Sequence, residues 1–542
     1  MEENKAKSII ALFNRENSKA SNFRSLYQNV ADLMYPRNDQ ITSHTTPGVE
    51  KTNQLFDTTG AMASLEMASG LSQNLIAPSQ KFFALQATDR ELNANETVKM
   101  YLSKATDIAH EQMFSSNLVL QLNGTLRAMS CFGTGNIYSE YTTFLNYMDH
   151  DIGSYLIIEN NKGRVDTVLR KFVFTARQAA QEWGEDACKS VIEALKTEET
   201  QQKELEFIHL VRPREAWNPR FKDNINMPFE SVYVSIKDQV IVSEGGFREF
   251  PYHVARWTKA PNEVWGRGQG TFALPDVRSL QAMKRDFMEC ANKHNNPPLE
   301  VLEHFDGIVD VSPNATNYVQ ETGTIKGIQQ QALGNFVVSK EMLDMQQELV
   351  RKAFFNDIFN QLGQLTGDRR TTVEIRERIG EGLQRLGPPI GRIQEELLSP
   401  LIERTVFMLI RNGVIPEPPE ELSGQPFEIE YVGRLALELK SHQARGAQQW
   451  ILSIAEMAEL FPTALDVVNV DSAVRRLGET LGVNVDDMNS QEVVAQIRQA
   501  RAEQQAAQQQ MEMASAMADG YGKVTGAPEE GSPAKGLMES VA

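Results

Sequence analysis

The sequence predicts an α+β fold, and three observations carry that expectation. Apolar residues recur at helical spacing through most of the first 135 residues. The chain then turns into short β-branched and aromatic runs, IYSEY, SYLIIE, RVDTVLRKFVF, EFIHLV, SVYVSI, QVIVSE and PYHVARW, with turn residues between them. Beyond these, helical spacing dominates again. Helices first and strands later, without alternation, argue against a doubly wound parallel sheet.

The totals bound the rest. A chain of 542 residues is long enough for several domains and more than one core. With 41% apolar and 23% charged residues it matches ordinary globular proteins. Seventy-two acids against 54 bases leave a net charge of −18. Such a field repels phosphate, which excludes wholesale non-specific attraction to nucleic acid or an anionic membrane; any nucleic-acid contact is expected to be local and weak. Cys131, Cys188 and Cys290 form no CxxC pair and read as small, buried thiols in a reducing compartment. The opening MEENKAKSIIALFNREN lacks a signal-peptide core, and no run of eighteen apolar residues predicts a membrane span.

Taken in order, Phe23, Leu26, Tyr27, Val30 and Leu33 make the first helical stripe, stopped at Tyr35-Pro36. Residues 37–56 read as a polar loop. Ala61 to Leu75, Val98 to Met113 and Leu118 to Met129 read as helices, and Thr175 to Trp183 as one helix interrupting the strands. GRGQG, Gly266 to Gly270, lacks the residues of a phosphate loop and reads as a tight turn whose glycines supply positive φ. Leu274-Pro275-Asp276 looks like a helix start, and Asn295-Asn296-Pro297-Pro298 like its stop. That helix has an apolar stripe, Leu280, Met283, Phe287 and Ala291. On another face Arg278, Arg285 and Asn292 recur every seven, with Lys284 nearby. This basic face is either ordinary surface decoration or the lining of a pore, since both need the same residues.

A compact β segment follows, LEVL, GIVDV, NYVQ, TIKGI and NFVV, and residues 341–355 return to helix. Gly363 to Arg370 is a glycine-containing basic loop. Thr371 and Glu374 then form a capping box, and apolar spacing continues from Ile379 to Ile410. Some forty helical residues would span roughly 60 Å. Pro388-Pro389 is expected to kink or break that helix. FEIEYV reads as a strand. Residues from Ser441 read as helical, Gln491 to Met513 as a polar helix, and 519–542 as a mobile tail.

No constellation argues for catalysis or a cofactor. The eight histidines are scattered without metal-ligand spacing. GQLTGDRRT has the glycine spacing of a P-loop, but Asp368-Arg369 stands where lysine and a hydroxyl are needed. No G-x-S-x-G elbow occurs.

The order of these features resembles the portal (head-to-tail connector) proteins of short-tailed, podovirus-type bacteriophages. PYHVARWTKAPNEVWGRGQGTFALPDVRSLQ and FNQLGQLTGDRRTTVEIRERIGE carry the resemblance, which covers the chain to about residue 435. It implies a dodecameric ring at one capsid vertex, with a channel through which double-stranded DNA is packaged and ejected, and no cofactor. By position, it implies a wing from 1–270 and 371–435, stem helices at 271–295 and 339–356, and a clip at 296–338. A tunnel loop would occupy 357–370, a helical crown 436–518 and a mobile tail 519–542. Implied channel residues are Arg278, Lys284, Arg285 and Asn292 on the stem and Gln361, Gln364, Asp368, Arg369 and Arg370 on the loop. Arg369 and Arg370 would touch passing phosphates, pair with a neighbouring subunit's acids, or satisfy carboxylates of their own chain. Implied partners are the terminase packaging motor, a tail adaptor protein, and capsid, scaffolding and internal core proteins, with no membrane. The implied location is the portal vertex of the virion, and the host cytoplasm during assembly. The alternative from another class is a nucleotide-dependent DNA motor enzyme.

Overall fold

The computed structural model describes residues 2–363, 385–433, 453–454, 469, 471–472 and 491–524. Within these spans it leaves out 37–39, 44–45, 47, 54, 78–79, 90–91, 94, 185–186, 219, 222, 296–298, 302, 304–307, 311–315, 320–324, 328–335 and 423. The chain divides into two units, Met1–Leu439 and Lys440–Ala542.

The first unit is mixed helix and sheet, as its sequence texture predicts. Helices α1 (Glu2–Lys19), α2 (Ser21–Met34), α3 (Thr59–Leu75), α4 (Glu96–Ser115) and α5 (Leu118–Phe132) come first, with β1 (Phe83–Ala87) between α3 and α4. Strands β2 (Thr134–Tyr141), β3 (Leu145–Asp149), β4 (Tyr155–Glu159) and β5 (Val165–Thr175) follow, then α6 (Ala176–Trp183) and α7 (Lys189–Ala194). Next come β6 (Glu204–Pro213), β7 (Phe229–Ser235), β8 (Val240–Phe247) and β9 (Tyr252–Arg256). Strands β4 to β8 form a five-stranded antiparallel sheet in sequence order, while β3-β2-β9 make a three-stranded one. The short strands β1 and β3, and the small helix α7, gave no clear periodicity in sequence.

After β9 come α8 (Gln269–Asn295), a ribbon of β10 (Leu299–Val301) and β11 (Ile325–Gly327), α9 (Phe336–Ala353) and α10 (Asn356–Gly363). Helical backbone is described again from 385 to 393, passes through a π turn at Gln394–Leu398, and ends as α11 (Ser399–Arg411). The final strand, β12 (Phe427–Tyr431), pairs with β1. One continuous apolar core joins α1–α5, both larger sheets, α8–α10 and α11; its members include Tyr27, Phe132, Tyr147, Leu169, Val277, Val350, Leu397 and Leu401. A satellite core under α6 and α7 holds Phe172, Phe207 and Val191. In the second unit, α12 (Gln491–Val524) is a 34-residue helix whose side chains are exposed from 495 to 513. It runs six residues past the expected start of the tail at 519.

Three expectations need correction. The glycines of GRGQG do not take positive φ; among described glycines only Gly48, Gly133, Gly163, Gly184, Gly413 and Gly424 do. They are required for close approach. A Cβ on Gly268 would come within 2.6 Å of the Gly133 nitrogen and the Met129 carbonyl oxygen, and one on Gly270 within 2.6 Å of the Cys131 carbonyl oxygen. Second, α8 starts at Gln269, so Pro275 lies inside the helix and not at its start. The glycine contacts fix the first turn upstream of the proline. Third, Pro388-Pro389 do not interrupt the helix. The irregularity is the π turn before Pro400, whose ring clashes with the carbonyl of residue 396 in regular α geometry and whose nitrogen has no proton to donate to it.

Gly133 itself ends α5 at φ 95°, and its Cβ position is occupied by the Arg267 backbone. Gly133→Ala is therefore expected to lower the unfolding free energy by roughly 3 kcal/mol, strain at φ added to displacement of Arg267. Gly413→Ala, at φ 71° with open space around it at the end of the helix Ser399–Arg411, should cost only about 1 kcal/mol. Urea denaturation of the two variants should separate them in that order.

Asp149, at the end of β3, gives a pH signature. Burial pushes its carboxyl up to about 7 from an ordinary 3.8, against a hydrogen bond from the Thr125 hydroxyl (2.7 Å) and helped by the Asp151 charge. Between these two values the folded chain holds a proton the unfolded chain has lost. That contribution to stability is present below about pH 4 and is lost as pH rises through about 7. Asp149→Asn should flatten the decline in thermal stability across pH 4–7, and an unchanged slope would contradict the assignment.

Candidate functional site

The residues singled out by the sequence depend on how α8, α9 and α10 are fixed. α8 is held at its start by a knot of backbone contacts. The Trp257 N–H donates to the Gly133 carbonyl (2.8 Å), the Tyr27 hydroxyl to the Gly266 carbonyl (2.6 Å), and the Gly266 N–H to the Thr134 hydroxyl (2.9 Å). Val277 and Leu280 are fully buried and seat the helix on the core.

A polar hub then ties α8 to α3 and α9. The Gln281 Oε1 accepts from the Phe56 and Asp57 N–H groups (2.8 and 3.0 Å). Asp57 Oδ1 accepts from the Thr59 N–H at the start of α3 (2.8 Å), and its Oδ2 from the Gln347 amide of α9 (2.8 Å). Burial works against the Asp57 charge, but the Thr59 and Gln347 hydrogen bonds and the Lys284 charge hold its carboxyl below the ordinary range. Gln346 donates to Asp276 (3.1 Å), closing the α8–α9 pair. Sequence reasoning missed Gln281, Asp57 and Gln347, and no local pattern marks a glutamine that bonds 224 residues away.

Arg278, Arg285 and Asn292 are exposed on α8. Arg285 already shares its charge with Asp286 (3.3 Å) and, more distantly, Glu289 (3.9 Å). Lys284 is half-buried and its charge acts on Asp57. The face is thus less basic than its arginine count suggests. Gln361 lies in α10, because residues 357–363, the start of the expected tunnel loop, are helical. Gln364, Asp368, Arg369 and Arg370 lie outside the described residues, as does the expected helix across 371–384.

Both flanks of that segment are anchored. α9 ends at Ala353, and Phe355, at φ 57°, turns the chain into α10. Phe354 is fully buried, and the Phe359 ring lies where any Cβ on Gly70 of α3 would sit. The Asn356 amide donates to Glu66 (2.6 Å). On the returning side two buried arginines bind the helix to the sheets. Arg256 of β9 is 1% exposed along its side chain. Its Nε and Nη2 donate to Glu396 in the π turn (3.1 and 2.8 Å), its backbone N–H donates to the same carboxylate (3.0 Å), and it also pairs with Glu159 of β4. Burial disfavours this guanidinium, but the two carboxylates outweigh it and raise its affinity for the proton. Arg404 of α11 donates to the Ser139 hydroxyl (3.1 Å) and the Glu249 carbonyl (2.7 Å).

Among the described residues no group of histidine, cysteine or acidic side chains could hold a metal ion, and no helix is long and apolar enough to cross a membrane. What the geometry offers is a frame: a helix pair with a sparse basic face, and anchored elements on either side of residues 364–384.

Comparison with known proteins gives this frame its class. The family model for the bacteriophage head to tail connecting protein matches residues 6–488, and the chain belongs to that family. A probable portal protein of Bordetella phage BPP-1 is 26% identical over 531 residues, 96% of each chain. The portal protein of Salmonella phage epsilon15 is 28% identical over 512 residues, 93% of this chain and 92% of the other. The chain has the role of a phage portal protein, and the motor-enzyme alternative is not favoured. Proteins of this family are generally structural, and a connector role implies an oligomeric ring that docks with capsid, tail and packaging machinery.

Arg256→Ala is expected to cost about 3–5 kcal/mol, because Glu396 and Glu159 would be left partly buried without a counter-charge. Chemical denaturation of the purified variant checks this, and a loss below about 1 kcal/mol would show that the clamp is dispensable.

Proposed function

We propose that twelve copies of this chain close into a ring around a channel at one vertex of the phage head. Double-stranded DNA passes through that channel during packaging and again during ejection. The observation that carries the reading is alignment with two portal proteins across more than nine-tenths of both partners. In this arrangement 1–270 and 371–435 form the wing, 271–295 and 339–356 the stem, and 296–338 the clip. Residues 357–370 form the tunnel loop, 436–518 the crown and 519–542 a mobile tail.

Two structural features support a ring. Met342, Met345 and Leu349 stand exposed along one face of α9, at positions that share a helix side. An apolar row of this kind favours burial against another surface, here the next copy. The β10–β11 ribbon is only three residues long on each strand, β10 is exposed, and Ile308 and Tyr318 are almost fully exposed nearby in sequence. A two-stranded ribbon of that size is marginal alone. As the clip it would gain support from neighbouring copies, then from the terminase packaging motor, and later from the tail adaptor.

Electrostatics supports a conduit that does not grip. Each phosphate contact made by a passing duplex must be broken at the next step, and affinity climbs steeply with the number of such contacts. A chain of net charge −18 offers few. Arg278 and a partly neutralised Arg285 on the stem, with Lys284 and Asn292 near them, give local and weak attraction. Gln361, Gln364, Asp368, Arg369 and Arg370 would do the same at the tunnel loop.

Arg369→Ala combined with Arg370→Ala is expected to leave ring assembly intact and reduce the DNA retained per head. Quantifying DNA in purified heads beside ring yield tests this. Heads filled and infectious as in the parent phage would contradict a DNA role for the loop.

A further inference from the structure

The two larger sheets meet across a polar layer inside the first unit. On the three-stranded sheet Asn136, Tyr138, His150 and Tyr252 share one face: Tyr138 lies opposite Tyr252, and the His150 N–H donates to the Asn136 carbonyl (3.0 Å). On the five-stranded sheet Tyr155, Arg170, His209 and Tyr233 form one row across β4, β5, β6 and β7. The rows touch where His209 Nδ1 lies 2.7 Å from the Tyr252 hydroxyl.

Half of this layer is satisfied internally. Burial pushes His209 down to about 3, so its ring is neutral and carries one proton. The Arg170 charge favours the Tyr252 oxygen as an acceptor, which leaves the Tyr252 proton for His209 Nδ1. His209 Nε2–H then donates to the Ser231 hydroxyl (2.9 Å).

The other half is not. Asn136 Nδ2 and Oδ1, His150 Nε2, the Tyr155 hydroxyl and Arg170 Nε are all sealed from solvent and lack a protein partner among the described residues. Asn136 and Tyr155 are 0% exposed and His150 is 4% exposed. A buried polar atom left unpaired costs about 1–3 kcal/mol, so five in one layer demand an occupant.

The mixture of donors and acceptors decides which. Burial, with the Arg170 charge, holds His150 neutral, and its other polar contact is the Asp149 backbone. A ring proton directed at that carbonyl leaves Nε2 as an acceptor. Asn136 Oδ1 is a second acceptor; Asn136 Nδ2 and Arg170 Nε are donors; the Tyr155 hydroxyl is either. An anion would satisfy only the donors. A metal cation would satisfy only the acceptors and would be repelled by Arg170. Water serves both kinds. We infer that ordered water is built into the interface between the two sheets, bridging Asn136, His150, Tyr155 and Arg170.

The test uses the full-length protein and two readouts. A map that resolves buried waters elsewhere in the particle should show density within hydrogen-bonding distance of at least two of these four side chains. An empty layer in such a map overturns the inference. So does an anomalous peak at the site after bromide exchange, which would identify an anion. Tyr155→Phe separates the wet layer from a dry one by sign. Removing a hydroxyl bonded to water should lower Tm by on the order of 1 °C. Removing one that is buried and unpaired would leave Tm unchanged or raise it, and either result contradicts bridging water.

Discussion

The buried guanidinium of Arg256 is the constraint on which the rest of the first unit depends. It sits on β9, binds the π turn through Glu396 and reaches β4 through Glu159. One side chain therefore fixes three elements that are far apart in sequence. A buried ion pair adds modestly to net stability, yet removing one partner is costly because the other charge stays behind. The clamp acts chiefly to specify position. The π turn belongs to the same device, since Pro400 forces the helix to widen where Glu396 must reach the sheet. Tyr431 on β12 takes part as well, donating its hydroxyl proton to a π-turn carbonyl, that of Gln394 (3.0 Å).

This matters for the proposed channel because the described residues on either side of 364–384 are anchored to the core. Phe359 against Gly70 and Asn356 on Glu66 fix the outgoing side. Arg256 and Arg404 fix the return. The α8–α9 pair stands on the same base through the Gln281–Asp57–Gln347 hub. A portal needs such a base if a loop is to meet DNA at a set radius while the DNA moves. The charge pattern follows the same logic, with Arg256 and Arg404 internal and engaged, and Arg285 shared with Asp286 and Glu289.

Much of the fold was legible in the sequence. The α+β class, the runs that became β4 to β9 and the helix carrying Arg278 and Arg285 all follow from local periodicity. What escaped is long-range. Gly133 and Gly268 form one knot, but neither says so alone; their glycines are explained only when 135 residues of chain fold back. The start of α8 was misread because Pro275 is a strong local signal and the glycine knot a stronger tertiary one. The π turn is not legible because Pro388-Pro389 is the stronger local helix-breaking signal, while the widening falls before the single Pro400. The sheet interface was invisible because His150, Arg170 and Asn136 look like ordinary strand residues until their register brings them together. For the site, sequence order marked the basic residues, while what holds them could be read only from the fold.

The central claim is that copies of this chain surround an open channel. Cryo-electron microscopy of the purified full-length protein tests it most directly. Closed twelvefold rings with an axial hole, lined in part by the helix that carries Arg278 and Arg285, are the expected result. Particles that remain single chains at every concentration, or rings whose axis is filled by protein, would contradict it.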